Sequence, residues 1–179
     1  MATTYLIIAH LLADFILQSN RLVAWKMKQF RGVVVHVCIF AAVALLVLFP
    51  YLGYWQTWLI VGAISVFHLV IDQAKINIAL RRDAYVMPFV ADQMLHFSSL
   101  IIGGHYLNKL SFELPSNFFF NNIYTNATAV SVVLALIFLS YILDVLFFQH
   151  NRTRKMNISK IASFVGIYIF YVAAALLML

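Results

Sequence analysis

The chain has 179 residues, is 64% hydrophobic and only 10% charged, and carries a formal charge of +6. A soluble domain is about half apolar and about a quarter charged, so a soluble fold is excluded; the mean hydropathy of +0.94 agrees. The single cysteine, Cys38, excludes a disulfide framework, an iron–sulfur cluster and a cysteine zinc knot.

Apolar residues fall in blocks near the roughly 20 residues that a membrane-crossing helix needs. Six spans are expected, over Thr3–Ser19, Gly32–Pro50, Trp55–Leu80, Tyr85–Leu107, Ala127–Gln149 and Ile158–Leu179. The expected fold is therefore all-α and polytopic, a single transmembrane domain. The N-terminus lacks a basic n-region, and the first span carries Asp14 with no small-residue cleavage site behind it, so no cleavable signal peptide is expected.

The cations sort onto alternate connections: Arg21, Lys26, Lys28 and Arg31 after the first span, Arg81 and Arg82 after the third, and Arg152, Arg154, Lys155 and Lys160 after the fifth. Lys75 lies near the same end of span three, and the other connections hold only Lys109. The positive-inside rule then places the basic loops in the cytoplasm and both termini outside. This accounts for the charge without nucleic acid as a partner. The stretch Ser111–Asn126, rich in Phe and Asn, reads as an interfacial loop at the outer surface.

Within this apolar background, His10 and Asp14, His68 and Asp72, and Asp92 and His96 are each four residues apart. That spacing stacks two side chains on one helix face. His36 adds a fourth histidine on the second span. Counted from the basic loops at 1.5 Å per residue, the three carboxylates lie roughly 10–15 Å deep, in one layer. A carboxylate in hydrocarbon costs at least a few kcal/mol and is expected to face a partner inside the bundle. Hydrogen-bonded His–Asp pairs acting as packing glue would explain one such pair. Three pairs plus His36 point instead to metal or proton chemistry.

Mixed imidazole and carboxylate donors suit a divalent transition metal, with zinc or manganese foremost, and seven candidate ligands leave room for two ions. The metal-ligand set is His10, Asp14, His36, His68, Asp72, Asp92 and His96, with His36 also a candidate general base. Gln18 and Arg21 continue the stripe of span one, and Lys75 that of span three. Cations at those positions suit a substrate anion. Gln73 and Gln93 are placed to orient water or ligands. His105 and His150 are left out as interfacial, and Asp144 is an intramembrane carboxylate with no histidine at four residues.

His-Leu-Leu-Ala-Asp at His10–Asp14 is echoed by His-Leu-Val-Ile-Asp at His68–Asp72. Each is followed by a basic loop and a span carrying His36 or the Asp92/His96 pair. Residues 1–108 are thus expected to form a four-helix core of two repeated hairpins, with 109–126 an outer loop and 127–179 two peripheral helices. The motifs from His10 to Gln18, at His36, from His68 to Lys75 and from Asp92 to His96 resemble the bacterial membrane family known as domain-of-unknown-function family 3307. That resemblance implies a bacterial inner-membrane location but assigns no activity. More loosely, the pattern is similar to inner-membrane proteins described as metal-dependent hydrolases.

Two functions are expected from these residues. One is a membrane-embedded, metal-dependent hydrolase acting on a phosphate or ester of a lipid or lipid-linked substrate at the cytoplasmic leaflet. The other is a divalent-metal or proton transporter using the same site. A bis-histidine haem ranks last, because carboxylates beside three of the histidines make a poor haem pocket.

Overall fold

The computed structural model describes residues 1–79, 86–111, 126, 128–137 and 139. The chain divides into two compact units, Met1–Phe118 and Phe119–Leu179. All regular structure among the described residues is helical. The first unit contains α1 (Ala2–Leu11), α2 (Asn20–Lys28), α3 (Phe30–Val47), α4 (Trp55–Ala79) and α5 (Val86–Leu107). In the second unit the described helix is Thr128–Ile137, whose start is capped by Asn126 Oδ1 accepting from Thr128 N at 3.0 Å and Ala129 N at 3.2 Å.

Two helices are long and apolar enough to cross a membrane, Phe30–Val47 and Trp55–Ile78, or three if the bent pair Ala2–Ile16 and Asn20–Lys28 is one broken span. An all-helical build follows from that setting, since hydrocarbon offers no partner to a free peptide group and a helix satisfies its own. The expected second, third and fourth spans coincide with α3, α4 and α5 to within three residues. Most of the fifth expected span, all of the sixth, and the loop aromatics from Phe112 to Tyr124 lie outside the described residues, as do Asp144 and His150.

The first span departs from its expected form. Beyond Leu11 the helix widens into a π-helical turn, Leu12–Ile16, in which Leu17 N–H bonds back to the Leu12 carbonyl at 2.8 Å. The helix then breaks, and α2 leaves at 90° to it. Ser19 makes the break: its backbone is extended and its hydroxyl accepts from Leu22 N at 3.3 Å, an N-cap that starts a new helix. The first basic connection is therefore a helix. A single extended residue, Gln29, separates it from α3.

Helix α3 packs on α4, α4 on α5, and α1 on both α5 and α3, so the four close a ring; α2 lies against α3. Two close approaches set this packing. A Cβ on Gly32 would stand 2.5 Å from Lys26 N and 2.7 Å from Lys26 Cα, so only glycine lets α2 fold back onto α3. A Cβ on Gly104 would strike the backbone and side chain of Thr3, which brings α1 against the end of α5. The start of α1 is held there by Asn108, whose Oδ1 accepts from Ala2 N at 2.8 Å while its Nδ2 donates to Thr3 Oγ1 at 2.9 Å.

Candidate metal centre

Each helix of the ring turns polar side chains inward at one level. His10 and Asp14 come from α1 and its π-helical extension, His36 from α3, His68 and Asp72 from α4, and Asp92 and His96 from α5. All seven are buried. A π-helical turn in a helix is rare and recurs at functional sites; here it carries Asp14, whose carbonyl oxygen accepts from Gln18 Nε2 at 2.9 Å.

Asp14 is the hub of one half. Its Oδ1 lies 3.3 Å from His36 Nε2, 3.7 Å from His68 Nε2 and 3.5 Å from His10 Nδ1. His36 Nε2 and His68 Nε2 face each other at 3.2 Å. In the other half His96 Nε2 stands 3.5 Å from Asp72 Oδ1 and 3.4 Å from Asp92 Oδ1. Asp72 links the halves, because its Oδ2 lies 3.6 Å from His36 Nε2. The partners of His68 and Asp72 thus come from other helices, whereas the spacing in sequence had paired them with one another.

His36 and His68 bond to each other, but the His–Asp contacts are close without forming hydrogen bonds. His10 Nδ1 and Nε2, Asp14 Oδ1, His36 Nδ1, Asp92 Oδ1 and His96 Nε2 are buried without a hydrogen-bond partner among the described residues. A set of His–Asp pairs serving as packing glue would bond them, since an unsatisfied buried polar atom costs about 1–3 kcal/mol. Atoms that converge without bonding one another fit a shared cation. Three groups, His10/His68/His96, Asp14/His36/His68 and Asp72/Asp92/His96, each present ligand atoms within 4.8 Å of one another and are able to hold a metal ion. Donors around a tetrahedral ion at about 2.0–2.1 Å stand about 3.3–3.4 Å apart. The second group matches this spacing, with its three edges at 3.2, 3.3 and 3.7 Å.

Two lysines pair with the carboxylates. Lys75 Nζ lies 2.6 Å from Asp92 Oδ2, which also accepts from Gln93 Nε2 at 3.0 Å. Lys26 Nζ lies 3.0 Å from Asp72 Oδ2. Lys26 was missed as a site residue because its segment reads as a charged connection; the Ser19 cap signal ahead of it could have revealed the helix that aims it. Of the other candidates, Gln18 and Gln93 reach the site's aspartates, through the Asp14 carbonyl and the Asp92 carboxylate respectively. Gln73 donates instead to Asn77 Oδ1 at 3.1 Å, and Arg21 is exposed on α2. His105 is exposed near the end of α5.

The side of the cluster away from α2 is closed by rings. Phe40, fully buried, stacks on His68 with centroids 5.0 Å apart and meets His10 edge-on at 6.3 Å, while Phe97 meets His10 edge-on at 5.7 Å.

Fold and site together define a class: an all-α protein with helices suited to crossing a membrane and a buried histidine–aspartate cluster able to hold metal. The chain belongs to the DUF3307 family, described as protein of unknown function, whose model matches residues 2–126. That stretch contains the seven cluster residues and both lysines. No curated protein and no solved structure matches the chain, and the looser likeness to membrane-bound hydrolases finds no support there.

Proposed function

We propose that this is a membrane-embedded hydrolase using two divalent transition-metal ions, zinc or manganese, on a phosphate or ester of a lipid or lipid-linked substrate. It would act at the cytoplasmic leaflet of a bacterial inner membrane, within a core of two repeated hairpins. The observation that carries the reading is the convergence of buried donor atoms with tetrahedral spacing at Asp14, His36 and His68, with Asp14 Oδ1 left without a hydrogen bond.

Asp14, His36 and His68 would hold one ion, and Asp72, Asp92 and His96 the other. Asp72 would lie between them, and His10 beside both. Bound ions of this kind polarise a phosphoryl or carbonyl oxygen and lower the pKa of water. The chain's own residues supply placement. Lys75 and Gln93 hold Asp92 in one orientation, as groups bonded to the far oxygen of a metal-binding carboxylate commonly do. Phe40 and Phe97 exclude water from the far side of the cluster. That closure favours hydrolysis over transport, because a transporter needs polar footing on both sides of its ion site.

Charge supports an anionic substrate. Three carboxylates against two ammonium groups leave one negative charge with neutral imidazoles. One divalent ion turns this into one positive charge, and a second ion into three.

Inductively coupled plasma mass spectrometry on protein purified in detergent without chelator tests the reading. One or two equivalents of a transition metal, falling by at least one in Asp14→Ala and in His68→Ala, are expected. Metal-free wild-type protein would overturn the metalloenzyme.

A further inference from the structure

We infer that Lys26 is an anion-binding residue that receives the phosphate of a lipid headgroup at the mouth of the metal centre, delivered there by α2 lying in the headgroup layer. This rests on the metal reading above.

The mouth is found from exposure. The side chains of the aspartates and histidines in the ion-paired network are at most 7% exposed, whereas Lys26 is 10% and Lys75 30% exposed. Phe40 and Phe97 close the opposite side. Approach is therefore from the side of the lysines, which is where α2 runs.

Helix α2 has the composition of an interfacial helix. It turns 90° from α1, and Val23, Trp25 and Met27 are exposed on it beside the exposed cations Arg21 and Lys28. Only Leu22 is buried on it. Tryptophan favours the headgroup level, and basic groups there favour anionic lipid. Lys26, alone among the cations of α2, points inward.

An ammonium group has three donors, and among the described residues Asp72 Oδ2 at 3.0 Å is the one acceptor that Lys26 meets. Two N–H bonds remain for a ligand, beside a carboxylate whose Oδ2 is 3.6 Å from His36 Nε2. A phosphomonoester on a lipid anchored beside α2 brings acceptor oxygens to that position while its acyl chains stay in the bilayer. The close approach at Gly32 fixes the position of the Lys26 backbone against α3, so the ammonium is held in place before the ligand arrives.

The test uses zinc-loaded full-length protein in phosphatidylcholine nanodiscs, titrated calorimetrically with dioctanoyl phosphatidate and, separately, with inorganic phosphate. Zinc content is measured on every sample. Loss of a charge-assisted hydrogen bond predicts about 10- to 100-fold weaker phosphatidate binding in Lys26→Gln. Lys26→Arg should stay within about threefold of wild type, because it keeps the charge and the donors. Zinc content should be the same in all three. Unchanged phosphatidate affinity in a zinc-replete Lys26→Gln protein overturns the inference. So does loss of zinc from Lys26→Gln, which would make Lys26 a brace for Asp72. Inorganic phosphate binding as tightly as phosphatidate overturns the lipid source. A wild-type protein that takes up no zinc overturns the metal reading itself, and this one with it.

Discussion

The Nε2 atoms of His36 and His68 face each other at 3.2 Å across the interface of α3 and α4. A neutral imidazole has one N–H and one lone pair, so such a contact is satisfied only if one ring donates to the other. Asp14 Oδ1 lies within 3.7 Å of both nitrogens and bonds to neither. The one N–H between the two rings leaves the Asp14 oxygen that faces them unpaired in a buried space. A cation among the three atoms removes that deficit and uses all of them.

The division into two ions leads to a stoichiometry that depends on position. Asp72 presents Oδ1 to His96 and Oδ2 to His36, so it belongs to both halves. Wild-type protein dialysed against zinc should hold two equivalents by mass spectrometry. His68→Ala and Asp92→Ala should each retain about one, and Asp72→Ala less than either. A full wild-type content in Asp92→Ala would reject the second ion.

Orientation of Asp92 can be tested without altering charge. Gln93 Nε2 donates to Asp92 Oδ2 at 3.0 Å, on the oxygen that Lys75 also holds. Gln93→Met preserves length and volume and removes the bond. Loss of an outer-shell partner should weaken metal binding by about 10- to 100-fold, read by competition against a chromogenic chelator. The Lys75 variant is a poorer probe, because removing a positive charge favours cation binding while freeing the carboxylate opposes it.

The centre was legible in sequence because the helical repeat is local: four-residue spacing within one segment is enough to place His10 near Asp14 and Asp92 near His96. The partnerships between helices were not. His68 meets Asp14 and His36, and Asp72 meets His96 and Lys26, because ring packing of four helices decides which faces meet. Helix α2 was obscured by its charges, which read equally well as a solvated loop. Nothing in Leu12–Ile16 marks a π-helical turn, since the same residues suit an α-helix and only the bond from Leu17 to Leu12 tells them apart.

Glycine substitutions should separate by sign. At Gly32 a methyl group meets backbone atoms of Trp25 and Lys26 at 2.5–2.7 Å, and backbone cannot swing aside as a side chain can. Gly32→Ala should cost about 1–3 kcal/mol, the range of overpacked sites, and pull Lys26 from Asp72. At Gly62, within α4, a methyl group meets nothing within 4 Å. Gly62→Ala should stabilise by roughly 0.5–1 kcal/mol through lower backbone entropy in the unfolded chain. Thermal unfolding in detergent reads both, and a lower melting point in Gly62→Ala would contradict the open space at that position.

The seam between α1 and α5 sets two effects of different size against each other. Asn108 takes up Ala2 N and bonds Thr3 Oγ1, but this end of α1 is partly exposed, so water can replace the lost bonds. Asn108→Ala should therefore cost about 1 kcal/mol or less, in the lower half of what losing a helix cap costs. Gly104 is another matter, because a methyl group there collides with Thr3 backbone and forces the two helices apart. Gly104→Ala should cost about 1–3 kcal/mol. His10 rides on α1 and its ring lies 4.9 Å from that of His96 on α5, so separation at the seam should reach the cluster. Metal affinity should fall in Gly104→Ala and hold in Asn108→Ala. If both variants melted lower by the same amount with metal affinity intact, α1 would be positioned by something other than this seam.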